Sequence, residues 1–164
     1  EVSASKGINN NADDNNHAGD SGAVYVFSRD TEDQDNPSTW AQQAYIKASN
    51  AGSSDWFGYR LSLSGDGNTL AVSAKNEDND FKGINNSDVF ADGNYTECCS
   101  NSGAVYIFTR DDSTWLEKTY IKAKNPATND RFGESVTLSG DGETLVVGGA
   151  ALSSSNIFDK VNIY

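Results

Sequence analysis

Ser21-Gly22-Ala23-Val24-Tyr25-Val26-Phe27-Ser28-Arg29-Asp30 returns 81 residues later as Ser102-Gly103-Ala104-Val105-Tyr106-Ile107-Phe108-Thr109-Arg110-Asp111. Only Val26/Ile107 and Ser28/Thr109 differ, and both changes keep the side chain β-branched or small. Other words repeat on either side. Lys6-Gly7-Ile8-Asn9-Asn10 recurs as Lys82-Gly83-Ile84-Asn85-Asn86, and Tyr45-Ile46-Lys47-Ala48 as Tyr120-Ile121-Lys122-Ala123. Phe57-Gly58 recurs as Phe132-Gly133, and Ser64-Gly65-Asp66-Gly67-Asn68-Thr69-Leu70 as Ser139-Gly140-Asp141-Gly142-Glu143-Thr144-Leu145. The offset drifts between 75 and 81 because the spacers change length while the words hold. A repeat of this period is one supersecondary unit that must stack on its neighbours to bury a core.

Each word reads as a strand. Ala104 to Phe108 is apolar on both faces, which predicts a strand covered on both sides. Tyr59 to Leu63 leads into Gly65-Asp66-Gly67-Asn68, residues suited to the positive φ of a tight hairpin, with Leu70-Ala71-Val72 as the return strand. Thr119 to Ala123 alternates Tyr/Lys with Ile/Ala and predicts a half-exposed outer strand. No segment sustains a helical period. The fold class is therefore all-β, built of blades of four short antiparallel strands.

The joint occurrence of Phe57-Gly58 or Phe132-Gly133, a hairpin, and Val72-Ser73-Ala74 or Val147-Gly148-Gly149-Ala150 resembles the FG-GAP repeat of integrin α-chain propellers and bacterial surface or secreted proteins. The resemblance implies a β-propeller and orders the strands from innermost to outermost. Residues 1–50 become the second half of a preceding blade with a long loop, carrying strands at Ser21–Phe27 and Ala44–Ala48. Residues 51–125 become one complete blade, with strands at Tyr59–Leu63, Thr69–Ser73, Ser102–Phe108 and Thr119–Ala123. Residues 126–164 become three strands of the next, at Ser135–Leu138, Thr144–Val147 and Val161–Tyr164. That is about two and a quarter blades, against the four to eight of a closed ring. The expectation is an incomplete propeller, completed by neighbouring blades or chains.

The chain has 164 residues with 24 acidic and 12 basic side chains, a net charge of −12 and a pI near 4.3. Such an excess of acid repels phosphate backbones and argues against nucleic-acid binding. No apolar run reaches the roughly 20 residues of a membrane helix. His17 is the one histidine. It lies among Asp13, Asp14 and Asp20, with no Gly-x-Ser-x-Gly elbow to make a triad, so it reads as a surface residue and no catalytic residue is assigned.

The 75–101 spacer carries Glu77, Asp78, Asp80, Asp88, Asp92 and Glu97, and reads as a long loop of solvated acids. Asp78-x-Asp80-x-Lys82-Gly83 approaches the spacing of a calcium loop, with Lys82 in the place of a third ligand. Asp78 and Asp80 are thus the candidate metal ligands and Ca²⁺ the candidate ion, with no other cofactor. The family's own calcium loop, between the first two strands of a blade, is replaced here by the short 64–69 and 139–144 turns. Cys98 and Cys99 are adjacent and lack zinc or thioredoxin spacing. A bond between them, a bridge to a partner, and two free thiols are all open. Asn85-Asn86-Ser87 and Asn94-Tyr95-Thr96 are glycosylation sequons.

Trp40 and Trp115 occupy matched repeat positions and read as packing between blades. Trp56, matched by Arg131, has a local task. Two functions from different classes fit these features. One is a non-enzymatic extracellular or cell-surface binding module, with protein or glycan partners on its variable loops. The other is a structural subunit of a surface assembly, or an accessory propeller of a secreted enzyme.

Overall fold

The computed structural model describes residues 7–8, 18–29, 40–86 and 99–150. Among them there is no helix. Strands β1 (Val24–Arg29) and β2 (Trp40–Ile46) pair antiparallel as the first unit. The second unit holds β3 (Phe57–Leu63), β4 (Thr69–Ala74), β5 (Ile84–Asn86), β6 (Ala104–Asp111) and β7 (Thr114–Ile121) in the spatial order β3-β4-β6-β7-β5. The third pairs β8 (Ser135–Leu138) with β9 (Leu145–Gly148). The four-stranded antiparallel blade expected from the repeat is present in β3, β4, β6 and β7. The strand expected at Val161–Tyr164 lies outside the described residues.

The two-residue period of β6 explains how the units stack. Tyr106 and Phe108 face the first unit and join Val24, Ala44, Ile46 and Phe57 in one core. Val105 faces the third unit and packs with Phe132, Val136, Leu145 and Val147. Phe57 meets Tyr106 and Phe108 edge-on, with centroids 5.3 and 6.1 Å apart. Burying a side chain of this size contributes about 1.5–3 kcal/mol.

The matched residues of β1 meet a different environment. Tyr25 is 46% exposed and Phe27 52%, where Tyr106 and Phe108 are each 0%. Trp40 is 67% exposed and Trp115 2%. The repeat implies that a neighbouring blade completes this face; among the described residues, Trp115 packs between units and Trp40 does not.

Both β3–β4 and β8–β9 turn on the same frame. Ser64 N–H donates to Thr69 O (2.9 Å) and Gly67 N–H to Ser64 O (3.0 Å); Ser139 N–H donates to Thr144 O (2.8 Å) and Gly142 N–H to Ser139 O (3.0 Å). Asp66 and Asp141 accept hydrogen bonds from Ser64 and Ser139 hydroxyls, which hold both carboxyls below their ordinary pKa. Of the four residues from Gly65 to Asn68, Gly67 alone takes positive φ. The side-chain bonds of Asp66 do the rest, in place of further left-handed residues.

Two sequence expectations need correction. The 75–101 spacer is not loop throughout: Ile84–Asn86, within its Lys-Gly-Ile-Asn-Asn word, forms a fifth strand along β7, pairing Ile84 with Ile121. Its counterpart repeats this contact, through an Ile8–Ile46 bridge. Lys47 N–H donates to Gly7 O (3.0 Å) and Lys122 N–H to Gly83 O (2.9 Å). The reason is that an outermost strand exposes a row of unpaired N–H and C=O groups, which a short returning segment covers. The outer strand alternates as its pattern implies, with the Tyr/Lys side inside: Tyr120 and Lys122 are fully buried, whereas Thr119, Ile121 and Ala123 are half-buried. Lastly, Glu77 is not a solvated loop acid but sits in the interior with them.

Candidate functional site

Antiparallel strands put the connection from β2 to β3 (47–56) and the described ends of that from β4 to β6 (75–83 and 99–103) at one end of the units. There the units are joined twice by the same backbone contacts. At the first joint Ser54, Trp56 and Phe57 N–H donate to Gly19, Asp20 and Ser21 carbonyls at 2.7, 3.2 and 2.9 Å. At the second, Asn129, Arg131 and Phe132 N–H donate to Ser100, Asn101 and Ser102 carbonyls at 2.8, 3.0 and 2.8 Å. Asp55 and Asp130, both buried, brace the two turns by accepting from Gly52 N–H (2.7 Å) and Ala127 N–H (2.8 Å).

The left-handed residues also match in pairs: Asp20 and Asn101 (φ 56° and 55°), Ser54 and Asn129 (66° and 65°), Trp56 and Arg131 (59° and 49°). The Ser-Gly and Phe-Gly words are thus two halves of one joint. Gly22 and Gly103 have positive φ and lie against Phe57 and Phe132 backbone with no room for a Cβ.

On this end the first joint carries an aromatic and charged rim. Trp56 is 44% exposed and its ring lies 6.4 Å from that of Tyr59. Lys75 Nζ stands 3.9 Å from the Tyr59 ring centroid and 4.9 Å from that of Trp56, and Arg60 lies 4.2 Å from Tyr59. Such contacts contribute about 0.5–2 kcal/mol each, depending on exposure. Tyr59 donates its hydroxyl to Glu134 Oε1 (2.9 Å), while Glu134 Oε2 faces Lys75 Nζ at 3.9 Å. An open cleft of about 360 Å³ adjoins this rim, lined by Asp20, Gly22, Trp56, Phe57, Gly58 and Tyr59.

Behind the rim lies a polar core that sequence reasoning missed. Glu77 Oε2 pairs with Lys122 Nζ and accepts from the Tyr120 hydroxyl (2.8 Å). Its Oε1 accepts from Asn50 Nδ2 (2.8 Å) and Asn79 N–H (3.2 Å). Tyr106 donates its hydroxyl to Asn50 Oδ1 (2.6 Å), which ties the first unit's connection to the second unit's centre. Burial, and then the Glu77 charge, push the hydroxyls of Tyr106 and Tyr120 well above their ordinary pKa. Every group here is satisfied by its neighbours or by the ion pair, with the exception of Asn79 Nδ2. The arrangement is structural: it fixes the spacer between β4 and β6 against β7. The available signal was Lys47 and Lys122 recurring inside strand words, which a solvated face does not require.

A second titratable group lies between the first two units. Burial pushes Glu117 up to about 7, against the hydrogen bond it accepts from the Ser49 hydroxyl at 2.8 Å.

The candidates named from sequence fall in several places. Asp78 Oδ1 accepts from Asn101 N–H (2.6 Å), and Asp78 O accepts from Cys99 N–H (3.2 Å). Asp80 is exposed on the same spacer. Among the described residues no group of three or more His, Cys, Asp or Glu side chains comes together, whereas Ca²⁺ takes six to eight oxygens. Asp88, Asp92, Glu97 and His17 lie outside the described residues. Cys99 is disulfide-bonded, so the free-thiol reading is overturned for it; Cys98 lies outside the described residues. Trp56, singled out as local, sits at the cleft. Among the described residues no helix is long and apolar enough to cross a membrane.

A family model for the FG-GAP repeat matches residues 40–91 and 115–156, together more than half of the chain. No curated protein and no solved structure matches it.

Proposed function

The chain belongs to the FG-GAP repeat family and is an integrin-like β-propeller module, and from that premise we propose that it is a non-catalytic binding and scaffolding module of a cell-surface or secreted protein. Its partners are proteins or glycans, engaged by the end of the blades that carries the 47–56 and 75–103 connections. One observation carries this reading. The two joints share their backbone hydrogen bonds and φ angles, yet differ in the side chains they present, with Asp20 and Trp56 at one and Asn101 and Arg131 at the other. A rigid scaffold with divergent rim residues is the usual layout of a recognition surface.

The titratable groups support the same reading. The buried acid–base pair, Glu77 with Lys122, is enclosed and engaged within the protein, whereas a catalytic pair has to meet substrate in a cleft. The exposed Tyr25, Phe27 and Trp40 favour a second reading, a structural subunit of a surface assembly whose blades continue across this face.

The test is binding of the purified chain to an array of glycans and extracellular proteins. Residues 87–98 are then replaced by the shorter 11–17 segment, with Glu77 and the fifth strand kept. The expected result is an unchanged fold with altered binding. Turnover of an arrayed compound, or no ligand on the array, overturns the proposal.

A further inference from the structure

We propose that the cleft at the first joint binds a neutral sugar ring, a pyranose stacked on Trp56 with its hydroxyls donated to Asp20. This rests on the reading of the chain as a binding module and names the ligand class at that surface.

The first argument comes from the repeat. Arg131 and Asn101 occupy the positions of Trp56 and Asp20 in a joint with the same hydrogen bonds and left-handed φ angles. The fold therefore needs neither an indole nor a carboxylate at these positions. Both depart together, and both line the same cleft of about 360 Å³. That volume lies at the lower end of small-ligand sites.

The second argument is electrostatic and selects the ligand. Lys75 Nζ already stands 3.9 Å from the Tyr59 ring and 4.9 Å from the Trp56 ring, so a cation drawn to these rings meets a resident ammonium. An anion meets the carboxylate of Asp20, which takes part in no hydrogen bond or ion pair among the described residues, and the net charge of −12. What remains compatible with an exposed indole, a carboxylate free to accept, and the peptide groups of Gly22 and Gly58 is an uncharged ring rich in hydroxyls. Its apolar C–H face covers the indole and its edge hydrogen-bonds the acid.

The experiment follows the backbone amide resonances of Gly22 and Gly58, which line the cleft in the parent chain and in both variants, and the Trp56 indole N–H wherever that indole is present, during titration of the purified chain with methyl β-glucopyranoside, methyl β-galactopyranoside and N-acetylglucosamine. Choline and acetate serve as charged controls. Binding in the millimolar range by one of the sugars is expected, weakened about tenfold or more in Trp56→Arg and Asp20→Asn. Both variants install what the second joint already carries, and circular dichroism checks their fold; should Trp56→Arg unfold, Asp20→Asn decides. The proposal is overturned if no sugar shifts these resonances at about 50 mM, if choline or acetate does so in their place, or if neither folded variant weakens binding. A protein ligand captured by the array and indifferent to Trp56→Arg would leave the binding module standing while the sugar site falls.

Discussion

Gly22 and Phe57 approach so closely that no methyl group fits between them: a Cβ on Gly22 would overlap the Phe57 carbonyl oxygen and stand 2.7 Å from its nitrogen. The two residues belong to adjacent units and form a parallel bridge. Gly22→Ala should therefore part the first joint, costing about 3 kcal/mol or more from overlap and positive φ together. Gly83 also has positive φ, but a methyl group there would meet nothing within 4 Å, so Gly83→Ala should cost about 1 kcal/mol. Urea unfolding of the two variants measures the difference.

Breaking the buried pair should be more damaging than removing it. Glu77→Gln leaves the Lys122 ammonium enclosed without its counter-charge, a loss of about 3–5 kcal/mol. Glu77→Gln combined with Lys122→Met should recover a good part of that. A double-mutant cycle read by denaturant midpoint gives the coupling, and strict additivity of the two changes would refute it.

Glu117 makes stability depend on pH. Its folded pKa is about 7 against an ordinary 4.5, so the folded state binds more protons between those values. Its contribution is therefore fully favourable below pH 4.5 and is lost as pH rises through 7. The loss amounts to at most about 3 kcal/mol, at roughly 1.4 kcal/mol per unit. Glu117→Gln should flatten this part of the profile and raise the melting temperature above neutral pH relative to the parent chain.

The matched aromatics should respond unequally to one substitution. Phe108→Ala opens a cavity between two units and should cost about 3–5 kcal/mol. Phe27→Ala removes a ring that is 52% exposed and should cost about 1 kcal/mol or less in the isolated chain. The same Phe27→Ala should weaken any association through this face, which sedimentation would register as reduced self-association.

The joint is half legible in the sequence. Ser-Gly and Phe-Gly stand out as repeated words, but Gly22 and Phe57 are 35 positions apart, and nothing local says that they touch. Trp56 draws notice because the other copy has Arg131. Asp20 does not, because an acid in a polar stretch is unremarkable until its neighbours are known.

The β class, the period of the repeat and the hairpin at Ser64–Thr69 were determined by sequence alone, and the order of the blade strands came from the family resemblance. These depend on alternation, β-branched and aromatic residues, and turn chemistry, all of which act within a few residues. Tertiary structure alone decided that Lys-Gly-Ile-Asn-Asn returns as a fifth strand, that Glu77 is interior while Asp80 is exposed, and that Trp115 is buried while Trp40 is not. Identical words met different fates because burial belongs to the neighbour across the sheet. Among the described residues β6 lies between two units, whereas β1 has one on a single side.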